Sequence, residues 1–288
     1  MLRYLLNLRG DGARVLIYHR FDPARRDAVE RQFAHLRRYY RPTSLAELGG
    51  MLADGIEPPR GTVVVTADDG YRDFYRVAYP LLRKYRIPAT LFVSTGFVDG
   101  LCPLWVDRVT WCLGRGAAGR GLKENLKLLD PQARDAELAA LEETTGRRLP
   151  HPVPPEFEAC SWDELREMAA NGIEIGAHTV THPTLSRVQD PAFEMLESKR
   201  RIEDELQRPV PHFAYPNGLW RDFGVDAVRV ARAHFATAVS AEPGWNHAGT
   251  DRHQLYRTPA SPEDKLGAFA RRLAGLRAAS RIGQLRPA

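Results

Sequence analysis

Short, densely apolar runs alternate along the chain with longer stretches in which apolar residues recur every three or four positions. The runs are ARVLIYH (13–19), TVVVTA (62–67), ATLFVS (89–94), IEIGAH (173–178), PHFAYP (211–216), FATAVS (235–240) and QLYRTP (254–259). Their length and β-branched content predict strands, and the unbroken VVV and LFV predict strands covered on both faces. Between most of them lie helical patterns such as AVERQFAHLRRYY, FYRVAYPLLRKYR, SWDELREMAANG and AFEMLESKRRIEDELQR. This is the pattern of a parallel sheet or barrel with helices outside. One interval breaks the rhythm. Residues 98 to 160 contain GRGAAGRG, a helix expected near 131–145 and the proline-rich PHPVPP. No repeat or linker divides the chain, so the expectation is one α/β domain over 1–288 with an insertion at about 98–160. An insertion of that length is usually functional or a small subdomain.

Composition narrows the class only slightly. A hydrophobic fraction of 43% and a charged fraction of 27% over 288 residues are ordinary for a soluble globular protein. The net charge of +5 comes from arginines scattered through the chain. That scatter gives no reason to propose nucleic acid, although a basic face could attract anionic lipids or glycans. Three cysteines without Cys-x-x-Cys spacing argue against a disulfide framework and for a reducing compartment. The opening MLRYLLNLRGDGARVLIYH is broken by Arg3, Asn7 and Arg9 and shows no export signal, and no window reaches the ~18–20 apolar residues of a membrane span. The expected location is the cytoplasm. Residues 1–9 could touch a membrane as a basic amphipathic turn, or dock as a terminal segment.

The candidate chemistry sits where predicted strands end. In GIEIGAHTVTHPTL, a straight strand would put His178 and His182 roughly 13 Å apart at ~3.3 Å per residue. One helical turn after His178 would instead bring them within ~5–6 Å at Cβ, close enough to share a metal. The plain alternative is a helix-capping histidine and a surface histidine. In VVVTADDGYRDFY, Asp68 and Asp69 end the most apolar strand, where adjacent carboxylates repel each other and are costly to desolvate. A cation would relieve both costs, whereas an Asp-Asp-Gly turn capping the next helix would need none. In α/β folds the carboxyl ends of the strands form the reactive face. One aspartate with two histidines is a three-ligand set with an open position, as hydrolytic metal sites require, and it leaves the other aspartate as a base. HFAYPNG (212–218) and LIYHRF, ending strand one at His19, complete the strand-end motifs.

Taken together, these motifs resemble the polysaccharide deacetylases, the NodB-homology domains of carbohydrate esterase family four. TADDG is similar to the family's T-F-D-D-G motif with Ala67 for the usual Phe, HTVTH fits its His-[Ser/Thr]-x-x-His motif, and FAYPNG is similar to its third motif. The match runs in order from about residue 13 to residue 260. It implies a distorted (β/α) barrel of about seven parallel strands. It also implies Asp69, His178 and His182 as ligands of a divalent metal, usually zinc with cobalt or nickel as alternatives, and Asp68 as general base. The implied reaction is hydrolysis of the N-acetyl group of an amino sugar in a polysaccharide, oligosaccharide or lipid-linked glycan. In it the metal polarises the acyl carbonyl, and the backbone N–H of Asn217 serves as oxyanion donor.

Two departures from the family matter. The arginine that often begins the third motif is replaced by Ala214, and the late Leu-x-His that supplies the acid is absent, with LYRTP near its place. A subgroup similar to the poly-N-acetylglucosamine deacetylases carries a Tyr-His pair on its first strand, matched here by Tyr18-His19, which implies His19 as the acid. The missing arginine has a candidate in Arg257. It shares a strand face with Leu255 by period-two alternation and would neighbour strand one if the barrel closes or nearly closes. A surface arginine is the alternative. Trp105 in the insertion could offer an aromatic face to a sugar ring or anchor the insertion, and Tyr215 is a further substrate-facing candidate. Competing functions are a metal-dependent amidase of a small non-sugar amide and an inactive glycan-binding module.

Overall fold

The computed structural model describes residues 12–276. Eight strands form one sheet: β1 Arg14–Tyr18, β2 Arg41–Pro42, β3 Thr62–Ala67, β4 Ala89–Val93, β5 Ile173–Ala177, β6 His212–Ala214, β7 Thr237–Val239 and β8 Thr258–Pro259. The order is β7-β6-β5-β4-β3-β1-β8, with β2 beside β3 and every strand pair parallel. The curled sheet, wrapped by helices, is a distorted (β/α) barrel. Its two edges meet through a single segment: Val239 bridges Leu255, and Thr258 and Pro259 pair with Leu16 and Ile17 of β1. The run at 254–259 therefore forms the expected last strand only in part. Its first half leans on β7 and its second half on β1.

Alternation along the strands sorts the core into two layers. Leu16, Tyr18, Val63, Val65, Ala67, Leu91 and Val93 pack with the surrounding helices. Val15, Val64, Phe92, Ala214, Val239 and Leu255 pack with one another inside the barrel. The helix Leu45–Ala53, opened by a capping box of Ser44 and Glu47, adds Leu45, Leu48 and Leu52 to this inner cluster. Its first N–H groups are held by Glu174 at the start of β5, and Gly49 lies against Thr237 at the start of β7. The barrel is thus plugged at the amino ends of its strands and opens at the carboxyl ends.

The insertion carries more helix than its sequence suggested. Besides the expected Pro131–Thr145, it forms Trp105–Leu113 and Ala117–Leu126. Trp105, Val109, Leu126 and Leu138 make a small core of their own. All three cysteines are free. Among the described residues no helix is long and apolar enough to cross a membrane. The amphipathic turn expected at 1–9 lies outside the described residues.

Candidate active site

Parallel register brings the strand ends to one level. Asp68 N–H bonds to the Tyr18 carbonyl, Ser94 N–H to that of Asp69, and His178 N–H to that of Val93. One cleft of about 490 Å3 is consequently lined by His19, Asp68, Asp69, His178, His182, Tyr215 and Asn217. At β1, alternation turns Tyr18 outwards, where its hydroxyl donates to Gln32 Oε1 at 2.8 Å, and leaves His19 exposed at the cleft.

The bend 178–182 is not the helical turn expected from its spacing. Thr179 and His182 instead adopt φ of 68° and 54°, in the left-handed region that non-glycine residues seldom occupy. The Thr179 hydroxyl accepts the His182 N–H, and Glu194 accepts the Val180 and Thr181 N–H groups at 2.9 and 3.0 Å. These tertiary bonds hold a backbone that local preference would not choose, and the imidazole centroids come to lie 4.9 Å apart. Asp69 (φ 79°) and Asn217 (φ 62°) are similarly constrained. Such strain gathers where side chains must be aimed rather than merely packed.

Asp69 Oδ1 faces His182 Nε2 at 3.3 Å and His178 Nε2 at 3.5 Å. Ligands at about 2.0–2.1 Å from a tetrahedral ion are about 3.3 Å apart, so this triangle has the size such an ion demands. His178 Nδ1 donates to the Ala214 carbonyl at 2.7 Å, leaving the Nε2 lone pair directed at the site. Asp69 Oδ1 is buried without a hydrogen-bond partner, an arrangement that a cation would satisfy. The three residues therefore fit a divalent metal. Burial pushes the Asp69 carboxyl up, but the two imidazoles outweigh it and hold the group well below the usual carboxylate range. Burial lowers both histidines, and against it Asp69, Asp68 and the Ala214 carbonyl leave His178 raised while His182 stays lowered.

Asp68 lies beside this triangle in an ion pair. Arg257, 0% exposed, donates from both terminal nitrogens to its two carboxylate oxygens at 2.7 Å each, while its Nε bonds the Ser240 carbonyl at 2.6 Å. Burial pushes the Asp68 carboxyl up, and Arg257, His178 and His19 more than reverse this and lower it. Ala214, at the family's arginine position, packs in the inner cluster with Leu255, two residues before Arg257.

The remaining candidates divide. Tyr215 lines the cleft with its hydroxyl tied to the His253 carbonyl at 2.9 Å, and Asn217 Nδ2 donates to Thr184 Oγ1 at 3.2 Å. Trp105 does not present a face to the cleft. It is 3% exposed in the insertion core, and its indole N–H donates to the His182 carbonyl at 3.1 Å. Its surroundings are those of an anchor that also steadies the bend. Trp105→Ala should accordingly destabilise the protein by about 3–5 kcal/mol in denaturant titration, and a cost below 1 kcal/mol would contradict the anchoring role.

Sequence reasoning passed over several residues. Tyr71 donates to Asp107 at 2.8 Å, and Arg20 stacks over the Tyr71 ring while pairing with Asp73 at 2.9 Å. This cluster fastens the insertion beside Asp69, and its one sequence signal was the aromatic and arginine adjoining each motif. Burial raises Asp107 to about 7.

The sequence model of the polysaccharide deacetylases matches residues 55–236. The chain belongs to this family. Within it, Bacillus subtilis (strain 168) YxkH is 24% identical over 232 residues, covering 80% of this chain and 62% of that protein. The poly-beta-1,6-N-acetyl-D-glucosamine N-deacetylase of Escherichia coli (strain K12) is 37% identical over 81 residues, which cover 28% of this chain and 12% of that enzyme. The chain thus spans less than two thirds of either curated relative. Among solved structures, the Streptococcus pyogenes deacetylase PplD, in complex with acetate, superposes with a TM-score of 0.64 at 21% identity, covering 91% of this chain and 98% of that one. At that identity the superposition establishes the shared deacetylase fold.

Proposed function

We propose that the protein is a metal-dependent hydrolase that removes N-acetyl groups from amino sugars of a polysaccharide, oligosaccharide or glycolipid. The observation that carries this reading is the convergence on one cleft of the Asp69, His178 and His182 triangle with a second aspartate clamped by Arg257. An inert glycan-binding module would have no use for a buried base beside a ligand triangle.

Asp69, His178 and His182 would hold the ion, zinc, with cobalt or nickel as substitutes. When bound, it supplies Lewis acidity towards the acyl carbonyl and makes water nucleophilic near neutral pH. Asp68, kept ionised by Arg257, accepts the proton of the attacking water. Its bidentate pair still leaves lone pairs free, because a carboxylate offers about four. The Asn217 backbone N–H, on a turn held at positive φ in the cleft lining, would receive the developing oxyanion, a contribution worth ~10²–10³ in rate. His19, which lines the same cleft, protonates the leaving amine. Ring access to solvent lets it recover its proton after each turnover.

Acetate release from N-acetylhexosamine oligomers, peptidoglycan fragments and lipid-linked sugars, with Zn²⁺, Co²⁺ or Ni²⁺ added, tests the reading. Release from none of them, with acetyl cleaved from a simple non-sugar amide, would favour the amidase instead. His19→Gln should lower kcat by ~10²–10⁴ with metal content unchanged. A near-normal kcat would remove His19 as the acid.

A further inference from the structure

The insertion helix Ala117–Leu126 and the residue after it place Arg120, Lys123 and Lys127 in the wall of the metal cleft. Their i, i+3, i+7 spacing puts all three on one helical face. Among the described residues only Lys127 has a carboxylate partner, Glu124 at 2.8 Å, which is drawn also by Arg221 at 3.6 Å. Arg120 bonds only a backbone carbonyl, that of Arg115, at 2.9 Å. Lys123 is half-buried, and its Nζ donates to the Thr110 hydroxyl at 2.7 Å. Among the described residues neither Arg120 nor Lys123 has an acidic side chain at ion-pair distance.

The wall thus carries three cations against one carboxylate, and the floor does not compensate. Asp68 is neutralised by Arg257, and Asp69 is committed to the imidazoles and the ion they fit. Asp107, the acid that draws on Lys123, has its carboxyl raised to about 7 by burial and is only partly ionised at neutral pH, while Arg115, Lys127 and Arg20 all repel the Lys123 ammonium. Withdrawing an ammonium from water without a counter-charge is costly, and an anion arriving with the substrate would offset that cost. A neutral polymer would leave Arg120 and Lys123 unmatched.

We infer that the cleft selects an N-acylated amino sugar carrying an anionic substituent, a phosphoryl or a carboxylate group, held by Lys123 with Arg120 and Lys127. The inference rests on the deacetylase reading above and specifies its substrate. The basic wall acts on binding, so its effect falls chiefly on KM.

The test uses the full-length, zinc-loaded protein with three probes: N-acetylglucosamine 1-phosphate, N-acetylmuramic acid and uncharged chitotriose. Binding is read by calorimetry and turnover by acetate release. At low salt, at least one anionic probe should be favoured over chitotriose by about tenfold in Kd and in kcat/KM, and rising salt should erode the preference. Comparison of the two anionic probes distinguishes phosphoryl from carboxylate. Lys123→Gln/Lys127→Gln should bring the anionic-to-neutral ratio close to one through KM, and Lys123→Arg should retain most of it. Acetate release without anionic preference, or a preference unchanged in the double variant, overturns the inference and leaves the deacetylase reading standing. Anion-selective binding lost in the double variant, with no acetate released from any probe, supports the basic site and sinks the deacetylase reading.

Discussion

His178→Ala will purify with far less than one equivalent of divalent metal, and its kcat/KM will fall by at least about 10³. Catalytic metal sites use three protein ligands, and removing one leaves two that cannot hold the ion against solvent. Asp69→Asn should behave alike, because the amide loses the charge that both imidazoles face at 3.3 and 3.5 Å. Added zinc should raise the melting temperature of the wild type, as any ligand that binds only the folded state must, and leave both variants unmoved. Elemental analysis after dialysis is the deciding measurement. Undiminished stoichiometric metal in His178→Ala would overturn the ligand assignment.

Arg257→Lys is expected to keep full metal content and lose about two orders of magnitude in kcat. Lysine preserves the charge but cannot reproduce two parallel bonds to one carboxylate, so the base is no longer held in one orientation. Arg257→Ala should also destabilise the fold by about 3–5 kcal/mol, because it strands a buried carboxylate. The pH profile gives an independent readout. Burial raises the Asp68 carboxyl, and Arg257 heads the influences that lower it. Losing the guanidinium therefore raises its folded pKa. The base must be ionised to work, so the acid limb of the profile should move to higher pH in Arg257→Ala, and by less in Arg257→Lys, which keeps the charge. Wild-type activity in Arg257→Ala would mean that Asp68 is oriented by other groups.

Strand periodicity made the barrel readable, because buried parallel strands write themselves as β-branched runs and end where the reactive residues start. The TVVVTA run and β3 share the same limits. Alternation also brought Arg257 into view, since Leu255 and Arg257 share a face whatever the neighbouring strand. Less legible were the features decided at a distance. Nothing near His178 announces that Glu194 will bond the Val180 and Thr181 N–H groups, so spacing suggested a helical turn where the chain makes a strained bend. The glycines of GRGAAGRG argue against helix locally, yet Ala117–Leu126 forms because Leu126 packs with Trp105 and Val109. The same packing withdraws Trp105 from the cleft, and burial of that kind is invisible in an isolated aromatic.

The ligand triangle depends on β3 and β5, which β4 joins directly. The clamp on the base depends on residues 255–259, which link the two edges of the sheet. On the proposed mechanism, a locally opened molecule that loses the 255–259 contacts would keep the ligand triangle yet leave Asp68 unclamped, so hydrolysis would be reserved for chains whose ring has shut.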